Sequence, residues 1–192
     1  MSMSSTMKHR VSAAVCGLAL AACTFGAATP ALAANNGTTQ VTVKASNDNL
    51  AFRVPTIIPF SAAADGKLTG PSAAATKIEN LSVFSIHVTN MKVAKEAPWT
   101  LSADATKATV DNTIDFQVGP KGNLKDAFAA SQGTGTNLSK DATYNMTYKG
   151  SSNSAIPLET TGDIARSTGD IYHNASKIGT ITWTLEAGMH TA

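Results

Sequence analysis

The chain has 192 residues, of which 43% are hydrophobic, 15% charged and 6% aromatic. Its formal net charge is +2, and the two excess positive charges are Lys8 and Arg10; the remaining thirteen Lys and Arg balance the thirteen Asp and Glu. Nucleic-acid binding and binding to anionic membranes require a cationic patch, so this balance argues against both. The ordinary apolar content and low charge exclude disorder driven by charge repulsion.

The N-terminal segment has the composition of a secretory signal peptide. A polar start with two basic residues precedes an alanine-rich apolar run from Val11 to Phe25, which is shorter than the ~20 residues that span a bilayer. The tripeptide Ala31-Leu32-Ala33 then provides a small-x-small cleavage pattern. We therefore predict a signal peptide over residues 1–33, with cleavage after Ala33 and export of the rest.

A second export signal overlaps the first. Leu20-Ala21-Ala22-Cys23 resembles a bacterial lipobox, in which Cys23 would be lipidated and become the first residue. Two or more acyl chains anchor a protein stably in a membrane, so release after Ala33 and a lipid anchor at Cys23 both stay open. Cys16 and Cys23 are the chain's two cysteines, and cleavage after Ala33 leaves a domain without disulfides or cysteine ligands.

Alternating apolar and polar residues predict β-strands along the exported part. Period two places one set of side chains on each face of a strand, and strands with a single apolar face build antiparallel sheets. The polar positions are often threonine, which strands favour. We expect an all-β fold, an antiparallel β-sandwich with at most one short helix, as a single domain over residues 34–192. The alternation occurs in Val41-Thr42-Val43, 84–89, 114–118, 144–148 and, most regularly, 181–186.

Turn and helix signals divide these strands. The triplets Thr161-Gly162-Asp163 and Thr168-Gly169-Asp170 are predicted to be chain reversals. Pro55 and Pro59 predict an edge strand or an ordered loop, because proline cannot donate to a sheet ladder. Residues 123–130 form the one helical pattern, which predicts one or two turns capped by the asparagine at its start.

Few residue patterns of catalysis or metal binding occur. None of His87, His173 and His190 has a second histidine at metal-ligand spacing, and Asp163 and Asp170 lack the surroundings of an EF-hand loop. There is no Gly-x-Ser-x-Gly elbow, no Walker loop and no dinucleotide-binding glycine motif. We predict a protein that is not an enzyme and that has no catalytic residues, no cofactor and no metal.

Both tryptophans of the chain lie in the same tripeptide, as Trp99-Thr100-Leu101 and Trp183-Thr184-Leu185. Residues two apart on a strand share a face, so each Trp-Leu pair points the same way. If that face is inward, the pairs anchor the core, where a Trp buries up to about 250 Å². If it is outward, they form an apolar surface that marks a binding site. We take Trp99, Leu101, Trp183 and Leu185 as the candidate binding residues.

With its two Trp-x-Leu motifs, the second in a threonine-rich strand near the end, the sequence resembles the WxL-domain family of Gram-positive surface proteins. Glu186-Ala187-Gly188 follows the second motif, where that family usually has a proline. The resemblance implies a secreted protein attached non-covalently to the cell wall, with peptidoglycan or companion surface proteins as partners. The alternative is a self-assembling fimbrial, fibre or adhesin subunit, in which a free N-terminal segment (34–45) adds to a neighbour's sheet. A secreted enzyme is the least favoured hypothesis.

Overall fold

Thirteen β-strands and one short α-helix make up the part of the chain that the computed structural model describes, residues 42–169, 171 and 175–190. The helix, α1, spans Ala127–Ser131, and single 3-10 turns occupy Asn47–Asn49, Ala105–Lys107 and Ala142–Tyr144. The strands are β1 (Phe52–Arg53), β2 (Ser61–Ala62), β3 (Lys67–Thr69), β4 (Lys77–Asn80), β5 (Ile86–Lys95), β6 (Thr100–Leu101), β7 (Thr113–Gly119), β8 (Lys125–Asp126), β9 (Thr136–Asn137), β10 (Asn145–Met146), β11 (Ala155–Pro157), β12 (Glu159–Ala165) and β13 (Gly179–Ala187).

The strands form three sheets. The largest has the order β2-β3-β12-β7-β6, with β8 also paired to β7. The second has the order β10-β5-β13, with β9 also paired to β5, and the third is β1-β4-β11. Pairing is antiparallel except between β6 and β7, which run parallel over two residues. The predicted all-β sandwich with one short helix is confirmed.

One hydrophobic core lies between the sheets. Along β7, Ile114, Phe116 and Val118 are buried while Gln117 is exposed, as the alternating sequence predicts. Each such buried side chain contributes roughly 1.5–3 kcal/mol relative to an exposed one. Every sheet supplies residues to the same cluster; examples are Leu68, Leu101, Ile114, Phe116 and Val118 from the first sheet, Ile86, Val88, Met91, Val93, Met146 and Leu185 from the second, and Ile78 and Ile156 from the third.

A β-bulge in β5 keeps that long strand's apolar side chains facing inward. Its buried residues are Ile86 and Val88 at even positions, then Met91 and Val93 at odd positions. The register against β13 shifts at this point, because Leu185 lies opposite Val88 whereas Thr184 lies opposite Asn90. The extra residue, Thr89, restores the alternation, since a bulge opposes two residues to one.

The N-terminal predictions lie mostly outside the described residues. Outside lie the signal peptide over residues 1–33, the lipobox at Cys23 and the first residue of the predicted strand, Val41. The chain from Thr42 onwards forms one compact unit. The predicted strand at Val41-Thr42-Val43 is wrong for its last two residues, which are exposed and unpaired. The pattern is that of a strand, but no other described strand lies beside it.

The N-cap of the predicted helix lies three residues later than expected. Asp126, and not Asn123, is the N-cap, because its side chain accepts a hydrogen bond from the backbone N–H of Phe128 at 2.8 Å. The preceding pair Lys125–Asp126 forms β8 against β7. Backbone pairing with a neighbouring strand therefore prevails over helix propensity in the first half of the pattern.

One of the two predicted reversals is a strand. Thr161-Gly162-Asp163 lies in the middle of β12, between β3 and β7. Gly162 is there because the neighbouring backbone leaves no room for a side chain: a Cβ would lie 2.3 Å from the carbonyl oxygen of Asp115. Strand glycines often mark such close approaches. The Pro55–Pro59 segment is confirmed as a loop, since no strand covers it.

Candidate functional site

The first Trp-Thr-Leu motif lies at the edge of the six-stranded sheet and faces inward. The Trp99 backbone N–H donates to the Glu96 carbonyl at 2.9 Å, and the next two residues form β6 beside β7. Trp99 is 5% exposed and Leu101 is 7% exposed. Both side chains are part of the hydrophobic core.

The Trp99 indole also makes a hydrogen bond to the segment that precedes β13. Its Nε1–H donates to the hydroxyl of Ser176 at 2.8 Å, across 77 residues of sequence. Close by, the Glu96 backbone N–H donates to the Ile178 carbonyl at 2.9 Å. A buried indole normally finds such a partner, and here the partner lies three residues before the strand that carries the second motif.

The second Trp-Thr-Leu motif lies in β13, whose inward side faces the core. Trp183 is opposite Met91 and Leu185 is opposite Val88, both buried residues of β5. Leu185 is 8% exposed, whereas Trp183 is half-buried and packs against the core from its border. Thr184, the residue between them, points outward and is exposed.

The four candidate residues thus meet in one hydrophobic cluster instead of forming a surface patch. Trp99, Leu101 and Leu185 are buried, as expected if the Trp-Leu pairs face inward. Of the four residues, Trp183 is the one with substantial exposure. The binding role assigned to these four residues stays a prediction. Their placement indicates that the motifs hold the terminal strand in the sandwich.

The outward side of the same sheet is an exposed polar surface, which the sequence analysis does not predict as a site. We call it the threonine face and define it as the outward side chains Thr180, Thr182 and Thr184 of β13 with Asn90 and Lys92 of β5. The register places Thr184 opposite Asn90 and Thr182 opposite Lys92. The three threonines and Lys92 are exposed. The polar positions of the alternating Ile181–Glu186 pattern were the available signal.

Hydrogen bonds fix the border of the threonine face. The Asn90 side-chain amide donates to the Thr134 carbonyl at 2.8 Å, and the Thr89 hydroxyl donates to the Thr184 carbonyl at 3.3 Å. His87 Nδ1 lies 3.1 Å from the Gly188 carbonyl, which can only accept. The backbone beneath the exposed threonines is thereby held in place, so the face is preorganised.

A groove with a volume of about 240 Å³ gathers four carboxylates, but each is engaged within the fold. Asp115 accepts from the backbone N–H groups of Ala105 and Asp163, at 2.6 and 2.9 Å. Asp163 pairs with Lys67 at 2.8 Å, and Asp126 caps α1. The fourth, Asp104, has its pKa lowered to about 2 by hydrogen bonds from Lys107 and Thr106. Among residues 42–169, 171 and 175–190, no group of three or more candidate ligands could hold a metal.

A polar cluster surrounds Asp141 near the ring of Tyr144. The Asp141 carboxylate accepts from Asn123 Nδ2 at 2.7 Å, Lys125 Nζ at 2.9 Å and the Thr143 hydroxyl at 2.6 Å. Burial by itself would raise the pKa of Asp141, but these hydrogen bonds outweigh it and hold the pKa well below its usual range. Burial, and then the Asp141 charge, raise the pKa of the Tyr144 hydroxyl.

This cluster predicts an acid-sensitive part of the stability. A carboxylate with a lowered folded-state pKa stabilises the fold above its unfolded pKa of about 3.9, and that contribution is lost as the pH falls towards the folded pKa. We expect Asp141→Asn to lower the free energy of unfolding by about 1.5–3 kcal/mol at pH 7. Urea unfolding at pH 7, 5 and 3 should show this difference shrinking with acidification.

The matched control is Asp111→Asn, because the side chains of Asp111 and its partner Arg166 are 55% and 53% exposed. Such a pair contributes ~0–1 kcal/mol. A cost for Asp141→Asn that is independent of pH, or no larger than the cost of the control, would contradict the assignment.

Comparison of this chain with known protein families, with curated proteins and with solved structures finds no match. In the part of the chain that is described, no helix has the length and apolar character needed to cross a membrane.

Proposed function

We propose that the chain is a secreted cell-surface protein that is held non-covalently at the cell wall by binding peptidoglycan or a related wall polymer. Three features of the sequence support export and this location: the signal-peptide pattern over residues 1–33, the cysteine-free remainder and the resemblance to the WxL-domain family. The lipid anchor at Cys23 is the alternative attachment.

The threonine face is the observation that carries the proposed binding. Thr182 and Thr184 project from the same side of β13 about 7 Å apart, the distance of two residues along a strand. Each hydroxyl is both a donor and an acceptor, and Lys92 adds an exposed ammonium group opposite Thr182. Glycan strands present hydroxyl and N-acetyl groups, which need both kinds of partner.

The Trp-Thr-Leu motifs support this role from beneath the face. Trp183 and Leu185 hold the inward side of β13 on the core, while the threonine between them points outward. One tripeptide therefore joins a core anchor to a surface hydroxyl. Binding residues on a strand of the scaffold are held more accurately than residues on a loop.

We expect the double variant Thr182→Val, Thr184→Val to bind purified peptidoglycan about tenfold or more weakly, since two hydroxyl hydrogen bonds at about 1 kcal/mol each are lost. Valine keeps the β-branched shape, so the melting temperature should stay close to that of the wild type. Co-sedimentation with purified cell walls measures the binding.

The matched control is Thr69→Val, Thr161→Val. These two exposed threonines lie opposite each other on β3 and β12 of the six-stranded sheet. The control should sediment like the wild type. Loss of binding in the control, or wild-type binding by the threonine-face variant, would contradict the proposal.

A further inference from the structure

The outer edge of β13 is open along the part of the chain that is described. In the four-stranded sheet β13 has one described neighbour, β5. Even-numbered residues direct their backbone towards β5: Glu96 N–H donates to the Ile178 carbonyl, and Gly188 N–H donates to the Ser85 carbonyl. Because backbone groups alternate in direction along a strand, the odd residues Ile181, Trp183 and Leu185 present theirs at the opposite edge.

A hydrogen bond at the last residue of β13 holds the chain at Asn47 beside this open edge. The Ala187 backbone N–H donates to Asn47 Oδ1 at 2.8 Å. The chain before Asn47, residues Thr42–Ser46, is exposed, and Val43 is 98% exposed. The segment therefore departs beside the open edge without packing against its own molecule.

The sequence of this segment is that of a strand. Val43 and Ala45 alternate with Thr42, Lys44 and Ser46, and five residues are a usual strand length. An exposed edge with free backbone groups is a template for pairing with an added strand.

The described residues cover the inward side of β13 only partly at this edge. Ile181 and Trp183 lie on the core side but are only partly buried, whereas their partners Val93 and Met91 on β5 are buried. A strand added beyond β13, with Val43 and Ala45 on its inward face, would cover both side chains. The charges are compatible, since the segment carries Lys44 and β13 carries Glu186.

We propose that residues 42–46 of one copy add as a strand to the open edge of β13 in a second copy. The occupant is a second copy because the described segment lies unpaired in its own molecule although it starts beside its own edge. Repetition of this contact joins copies head to tail, and an unclosed head-to-tail contact produces a fibre. This surface is separate from the threonine face, so it does not rest on the proposed wall binding.

The test uses Val43→Lys and Val43→Pro in the exported form of the protein. Lysine removes the apolar inward side chain, and proline removes a backbone donor from the added strand. Val83→Lys is the matched control, because Val83 is 87% exposed elsewhere in the fold. Light scattering over a concentration series measures association, and hydrogen exchange measures protection of the Ile181, Trp183 and Leu185 amides.

We expect the wild type and Val83→Lys to associate with increasing concentration, with those three amides becoming protected as they do. Both Val43 variants should associate at least tenfold more weakly. A wild type that stays monomeric with unprotected amides would overturn the proposal. Protection that is already complete in the monomer and is lost in Val43→Pro would also overturn it, because the chain's own segment would then be the occupant.

Discussion

Replacement of Trp99 by alanine is expected to lower the free energy of unfolding by about 3–5 kcal/mol, a large part of the stability of a domain this size. The side chain is 5% exposed, packs in the core and donates a hydrogen bond to Ser176. Its removal leaves a cavity and releases the segment before β13. Urea denaturation followed by circular dichroism measures the loss.

Two further variants separate the causes of that loss. Ser176→Ala removes only the acceptor of the indole hydrogen bond and should cost about 0.5–1.5 kcal/mol. Trp183→Ala should lower the free energy of unfolding by about half as much as Trp99→Ala. Trp183 is only half-buried, so its replacement removes less buried apolar surface and leaves a smaller cavity. A Trp99→Ala protein as stable as the wild type would refute the core-anchor role of the first motif.

Gly162→Ala is expected to destabilise the protein by about 3 kcal/mol or more, at the upper end of overpacking effects. The new Cβ would lie 2.3 Å from the Asp115 carbonyl oxygen and 2.9 Å from Phe116 Cα. Both are backbone atoms of β7, and β12 pairs with β7 over all seven of its residues. Relief of the clash requires the two strands to separate.

The other Thr-Gly-Asp triplet provides the control. A Cβ on Gly169 would meet no atom within 4 Å, and no positive φ applies there. Gly169→Ala should therefore be neutral or stabilise by up to about 1 kcal/mol, because alanine restricts the unfolded chain. Thermal melting of the two variants compares them directly. Equal melting temperatures would show that the β12–β7 contact tolerates a side chain.

The sequence predicts part of the fold, and β12 with its Gly162 shows where the prediction stops. Alternation identifies most of β7 and β13 and the first four residues of β5, together with their buried faces, because half-buried strands must alternate. It does not place Gly162 in a strand, because glycine normally indicates a turn and the requirement comes from a backbone 47 residues away in sequence, at Asp115. The bulge at Thr89 has a sequence signal, the change from even to odd apolar positions between Val88 and Met91.

The candidate site is predicted only in part for the same reason. Because side chains alternate along a strand, the sequence predicts that Trp183 and Leu185 share a face. It does not predict whether that face lies on the core. That depends on the opposing sheet, which is a long-range contact. The Trp99–Ser176 hydrogen bond has no local signal at all. The threonine face follows from the alternating pattern once the inward side is known.

The proposed function assigns different roles to the two faces of β13: the indole side packs on the core, and the threonine side is the proposed binding surface. The most direct test is a two-dimensional amide NMR titration of the protein with soluble peptidoglycan fragments. We expect shifts concentrated at the threonine face, with residues of β3 and β12 unchanged; the residues of that face are Thr180, Thr182, Thr184, Asn90 and Lys92. Shifts centred on β12, or no shifts at saturating fragment concentrations, would contradict it.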